Sequence, residues 1–186
     1  MREFFTAPNL VTSGSLIAGF AALILVAQGD FAWAAGLVGV AAVCDALDGT
    51  IARRGPGQCA FGSELDSLAD LVSFGAVPAL ALYLALLHDL EVIGIAACLG
   101  FLVCGAWRLA RFPLVRNTDF FVGLPIPPAG VALAIVAAWG PPPAFALAVM
   151  VTLTVLMVSA LEFPTLSAVR QRRRGDPIDE PSPAGK

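Results

Sequence analysis

Four aspartates stand in segments that otherwise carry almost nothing polar: Asp45 and Asp48 in D-A-L-D-G-T-I-A-R, and Asp66 and Asp70 in G-S-E-L-D-S-L-A-D. On a helix the first pair is spaced i, i+3 and the second i, i+4, so each pair shares one face. Two such faces turned toward each other gather four hard oxygen donors. Four anions this close repel unless a cation sits among them, and an all-oxygen donor set favours Mg²⁺, Mn²⁺ or Ca²⁺ over zinc. Gly49, Ala52 and Gly62 interleave with the acids. Residues this small let a bulky ligand approach the backbone, as glycines do in phosphate sites. Three chemistries fit the cluster: metal-dependent phosphate chemistry, an ion pathway such as that of a divalent cation transporter, or structural pairing with Arg53, Arg108 or Arg111. Pairing neutralises one or two carboxylates and leaves the small residues unexplained.

The elements that must position these acids are membrane helices. Of 186 residues, 58% are hydrophobic and only 13% charged, with a mean hydropathy of +0.84. That composition excludes an ordinary soluble domain. The length suits one compact membrane domain over residues 1–169, followed by a polar tail over 170–186. The tail reads as disordered, with its arginines on anionic headgroups. No nucleic-acid partner is expected. The N-terminus has no basic region ahead of a short apolar core, so no cleavable signal peptide is expected. Cys44, Cys59, Cys98 and Cys104 have no C-x-x-C spacing and read as small buried hydrophobes.

Six apolar segments can be drawn: Leu10–Ala27, Phe31–Ile51, Leu65–Leu87, Val92–Trp107, Ile126–Trp139 and Ala144–Leu161. Their lengths and lack of alternation favour helices over barrel strands. All eleven Lys and Arg residues fall before the first segment or after the second, fourth and sixth; the other connections contain none. The positive-inside rule then gives an all-α membrane protein, a six-transmembrane-helix bundle with both termini cytoplasmic. Counted from Phe31, Asp45 lies about 21 Å along its helix; counted back from Leu87, Asp70 lies about 26 Å along the next. Both acidic pairs thus reach the cytoplasmic boundary, where lipid phosphates lie. His88 falls on the opposite side and reads as a solvated loop residue.

Turn residues punctuate the bundle. Pro8, Asn9 and Thr12 read as a polar helix start, with Asn9 or Thr12 as cap. Gly55, Pro56 and Gly57 break the chain between the two acidic helices. The Pro-rich run from Phe120 to Pro128 reads as a re-entrant or interfacial loop. No internal repeat is evident, which counts against an inverted-repeat transporter.

The pattern Asp45-x2-Asp48-Gly49-x2-Ala52-Arg53-x8-Gly62-x3-Asp66-x3-Asp70 resembles the signature of the CDP-alcohol phosphatidyltransferase family, with every fixed position matched. A pattern of this length is highly specific. The resemblance implies a six-helix membrane enzyme, usually a homodimer, open to the cytoplasmic leaflet of a bacterial or archaeal membrane. It also implies that Asp45, Asp48, Asp66 and Asp70 hold divalent metal, commonly two Mg²⁺ or Mn²⁺ ions, with Asp70 doubling as general base. Gly49, Ala52, Arg53 and Gly62 would line the pocket for the CDP of a CDP-diacylglycerol donor.

A second resemblance bears on the acceptor. Arg108-Leu109-Ala110-Arg111-Phe112 and Phe120-x2-Gly123-Leu124-Pro125-x-Pro127 resemble segments of the membrane phosphatidylserine synthases, a branch of the same family. Pro113 departs from the Asn usual there. The resemblance implies L-serine as acceptor, with Arg108 and Arg111 within reach of its carboxylate. The same arginines suit the phosphate of glycerol 3-phosphate or of an inositol phosphate, or serve only to set topology.

Overall fold

The computed structural model describes residues 7–54, 60–111, 120–159 and 162–164, with the backbone alone for residues 7, 8, 48, 51–54, 60, 120–122 and 162–164. The proposed tail at 170–186, the break at 55–57 and Cys59 lie outside the described residues. Helix α1 (Ala7–Gln28) and helix α2 (Phe31–Arg54) form a tight antiparallel hairpin. Its turn is a Schellman motif: Gly29, at φ 85°, donates to the Val26 carbonyl at 3.1 Å and Asp30 to that of Leu25 at 2.9 Å. Only a left-handed residue closes the helix this way, which is why glycine stands there.

Asn9 and Thr12 do not cap α1. The helix begins before them, and both side chains are buried within it.

The chain from Ala60 to Leu90 is helical throughout, but its hydrogen bonding changes along the way. Helix α3 (Ala60–Asp70) leads into a π-helical turn (Leu71–Ala76), then helix α4 (Val77–Leu82), a second π-helical turn (Tyr83–Leu87) and a 3-10 turn (His88–Leu90). Pro78 accounts for the first change. It has no N–H to offer the carbonyl four residues back, and the helix widens just ahead of it. A widened turn accommodates an extra residue, which rotates the following face by about 100°. The acids of α3 and the core residues of α4 therefore do not share one α-helical stripe.

Helix α5 (Glu91–Arg111) folds back along this run. The reversal is at Glu91, whose φ is 42°, and Gly94 seats directly on the Leu87 carbonyl, where a Cβ would collide. At the far end Ala106, Leu109 and Ala110 face Leu68 and Leu71 across a cleft of about 340 Å³.

Part of the Pro-rich run is a strand rather than a loop. Strand β1 (Phe120–Val122) pairs antiparallel with strand β2 (Glu162–Pro164), with Phe121 opposite Phe163. Gly123 then turns at φ 82° against the Met157 carbonyl, and Leu124 donates to Leu156 at 3.1 Å. The end of helix α7 (Pro143–Val158) leaves carbonyls without helical partners, and this segment satisfies one of them. Helix α6 (Ile126–Trp139) ends at Gly140, φ 71°.

Phe74, Leu82, Phe101, Ile126, Leu133 and Met150 are fully enclosed and form the centre of the core. Gly130 lies against the Phe74 backbone and Gly105 against Ile126, both too close for a side chain. Such contacts let helix backbones approach where lipid gives no hydrophobic drive to pack them. Large apolar side chains instead face outward, including Ile17, Phe20, Trp33, Val92, Trp107 and Trp139. Two helical runs, Asn9–Gln28 and Phe61–Arg111, are long and apolar enough to cross a membrane, and only 28% and 17% of their most apolar windows are buried. Phe31–Leu47, Ile126–Trp139 and Pro143–Val158 are shorter apolar helices. Outward-facing apolar helices of this kind are those of a membrane protein.

Candidate metal centre

Three of the four aspartates converge. Carboxylate oxygens of Asp45, on α2, and of Asp66 and Asp70, on α3, all lie within 4.8 Å of one another. Asp70 is buried, 8% exposed, and Asp45 and Asp66 are half-buried. Asp48 follows Asp45 by three residues on α2, and its side chain is outside the described residues, as are those of Ala52 and Arg53. Gly49 is half-buried on α2 and Gly62 half-buried in the first turns of α3.

Helix α1 makes this convergence possible, because it packs on α2, on α3 and on the π-helical turn beyond α3. The Ser15 hydroxyl donates to the Ala41 carbonyl at 3.2 Å, and the Ser73 hydroxyl donates to the Ser15 carbonyl at 3.2 Å. Ala41 is one helical turn before Asp45, and Ser73 three residues after Asp70. These serines are buried polar groups that the sequence analysis did not single out, and Asn9 and Thr12, expected as caps, are buried with them. Their signal was present: Asn9, Thr12 and Ser15 repeat every three residues in a helix whose other polar residues are Ser13 and Gln28.

The two arginines expected near the acceptor are treated differently by the fold. Arg108 is half-buried on α5, and the Asp70 carboxylate is the charge that bears on it. Its Nε is enclosed and has no hydrogen-bond partner among the described residues. Arg111 is exposed at the end of the same helix. The cysteines Cys44, Cys98 and Cys104 are free and half-buried rather than fully buried. His88 is exposed beside Asp89, 3.2 Å away.

The acids fit a hard divalent cation. Oxygen ligands at about 2.1 Å stand up to about 4.2 Å apart across Mg²⁺, so small side-chain adjustments bring the triad into range. Burial of Asp70 strengthens the case, since clustered carboxylates in a low-dielectric site need a counter-charge.

The chain matches the model of the CDP-alcohol phosphatidyltransferases over residues 5–166. It belongs to that family. Among curated relatives, the CDP-diacylglycerol–serine O-phosphatidyltransferase of Helicobacter pylori (strain ATCC 700392 / 26695) is 34% identical, over 91% of this chain and 76% of its own. The protein of that name from Bacillus subtilis (strain 168) is 34% identical, over 84% of this chain and 89% of its own. The archaetidylserine synthase of Methanothermobacter thermautotrophicus is 33% identical, over 91% of this chain and 74% of its own. This CDP-alcohol phosphatidyltransferase is therefore an enzyme of phospholipid biosynthesis, and the converging acids lie within the matched region.

Proposed function

We propose that this phosphatidyltransferase moves the phosphatidyl group of CDP-diacylglycerol onto the hydroxyl of L-serine, giving phosphatidylserine and CMP. The site would open to the cytoplasmic side of a bacterial or archaeal membrane, at one end of a six-span bundle working as a homodimer. The observation that carries the reading is the convergence of Asp45, Asp66 and Asp70 inside the family signature. The names of the relatives favour serine.

Asp45, Asp48, Asp66 and Asp70 would hold Mg²⁺ or Mn²⁺, as a pair of ions. When bound, the metal neutralises the donor pyrophosphate and stabilises charge gathering at phosphorus and on departing CMP. Gly49, Ala52, Arg53 and Gly62 would line the pocket for the cytidine nucleotide, with Arg53 as a phosphate contact. Asp70 takes the proton of the serine hydroxyl as its oxygen attacks phosphorus and the phosphorus–oxygen bond to CMP breaks.

Arg108 supports serine as the acceptor. An enclosed donor without a partner costs about 1–3 kcal/mol, and a serine carboxylate would accept from it while placing the hydroxyl toward Asp70. Arg111, exposed at the helix end, serves as a secondary contact or a topology anchor. Glycerol 3-phosphate or an inositol phosphate would use the same arginines through its phosphate.

The test is CMP release by purified protein from CDP-diacylglycerol with Mg²⁺ or Mn²⁺ and a panel of acceptors. Serine is expected to stimulate release, and glycerol 3-phosphate and inositol are not. No stimulation by serine would reject the acceptor assignment. Arg108→Gln is expected to raise the serine KM about 10–100-fold, the worth of a charge-assisted hydrogen bond, with little change in donor affinity.

A further inference from the structure

Ser15 holds a place that neither the acids nor the acceptor contacts explain. Its side chain is 2% exposed, and that of Ser73 is fully enclosed. The Ser15 hydroxyl reaches α2, while its carbonyl receives the Ser73 hydroxyl from the π-helical turn. Gly19, one turn further along α1, sits against the Ser73 side chain so closely that a Cβ there would collide with it. One residue of α1 is thus hydrogen-bonded to both helices that carry the acids, each time within about one turn of a carboxylate.

Apolar packing alone sets the axial register of these helices poorly. Helix α1 is apolar nearly all round, and lipid tails compete equally for its faces. A slip of one residue moves a side chain about 1.5 Å along the axis and about 100° around it. Metal ligation tolerates about 0.2 Å. A directional tie placed beside the ligands fixes what apolar contacts leave loose.

We propose that Ser15 is a positioning residue for the metal centre, clamping α2 and the π-helical turn after α3 so that Asp45 and Asp70 meet. This rests on the reading of the acids as metal ligands. Ser73 is the second half of the clamp, and Gly19 gives it room.

The test is Mn²⁺ binding to the purified full chain, followed by electron paramagnetic resonance, with thermal unfolding measured in parallel. Ser15→Ala is expected to weaken Mn²⁺ binding about 10-fold, as loss of a group supporting metal ligands does, with a melting temperature close to that of the parent protein. Ser73→Ala, which leaves α1 untouched, is expected to act in the same direction. Ser15→Thr, which keeps the hydroxyl, and Thr152→Ala, on the distant α7, are expected to stay within twofold of the parent. Parent-like Mn²⁺ affinity in both alanine variants would overturn the clamp, as would equal losses in Ser15→Thr and Ser15→Ala. Absence of saturable Mn²⁺ binding in the unaltered protein would instead reject the metal reading itself, and the clamp with it.

Discussion

Asp70→Asn is expected to lower the single-turnover rate by about 10²–10⁴-fold, the usual cost of losing a general base, while donor affinity falls much less. Asparagine keeps the size of the side chain and one oxygen that can still face a cation, but it cannot take a proton. Asp70 is the most enclosed acid of the triad, and its charge bears on Arg108. An acceptor held by Arg108 would therefore lie on the Asp70 side of the cluster. The measurement separates rate from binding: single-turnover CMP formation at saturating CDP-diacylglycerol, alongside a titration of the donor. If the variant kept its rate at saturation and lost donor binding instead, Asp70 would be a ligand only and another group would be the base.

Asp45→Asn is expected to produce the converse pattern. Asp45 is the member of the triad contributed by α2, so under the proposed reading its charge would join the two acidic helices through a bound cation. With that charge removed, half-saturating Mg²⁺ or Mn²⁺ should rise by about 10–100-fold, and donor affinity should fall with it, because the pyrophosphate contact runs through the cation. Excess metal should recover much of the turnover, which it should not do for Asp70→Asn. Chelation of the unaltered protein should abolish turnover, and added Mg²⁺ or Mn²⁺ should restore it. Full activity after exhaustive chelation would remove the metal from the reaction altogether. Measuring turnover against metal concentration for both variants distinguishes the ligand role from the base role.

Much of this was legible in the chain itself. Asp45, Asp48, Asp66 and Asp70 are conspicuous because charge is costly in apolar helices, and helical spacing alone puts each pair on one face. Helix limits followed wherever a backbone preference was strong. Ile126–Trp139 runs from a Pro-rich entry to a left-handed glycine, and Phe31 follows the Gly29 turn. Other limits did not follow. Asn9 and Thr12 look like caps by residue type, yet lie inside α1, because a buried polar group can be satisfied sideways as well as at a helix end. The segment at Phe120 pairs with Glu162–Pro164, a contact between residues about forty positions apart that local pattern does not encode.

Tertiary packing decided the remainder. Arg108 and Arg111 are three residues apart, but a turn of helix separates a half-buried side chain with an enclosed Nε from an exposed one. Pro78 announces a disturbance, and the structure places it as a π-helical turn just beyond Asp70, where Phe74 lies against Gly130. The residue types and spacing determined which groups could do chemistry. Which of them meet was set by the rotation and register of helices whose surfaces are apolar on nearly every side. That information resides in a few close glycine contacts and buried hydroxyl ties, not in hydrophobic periodicity.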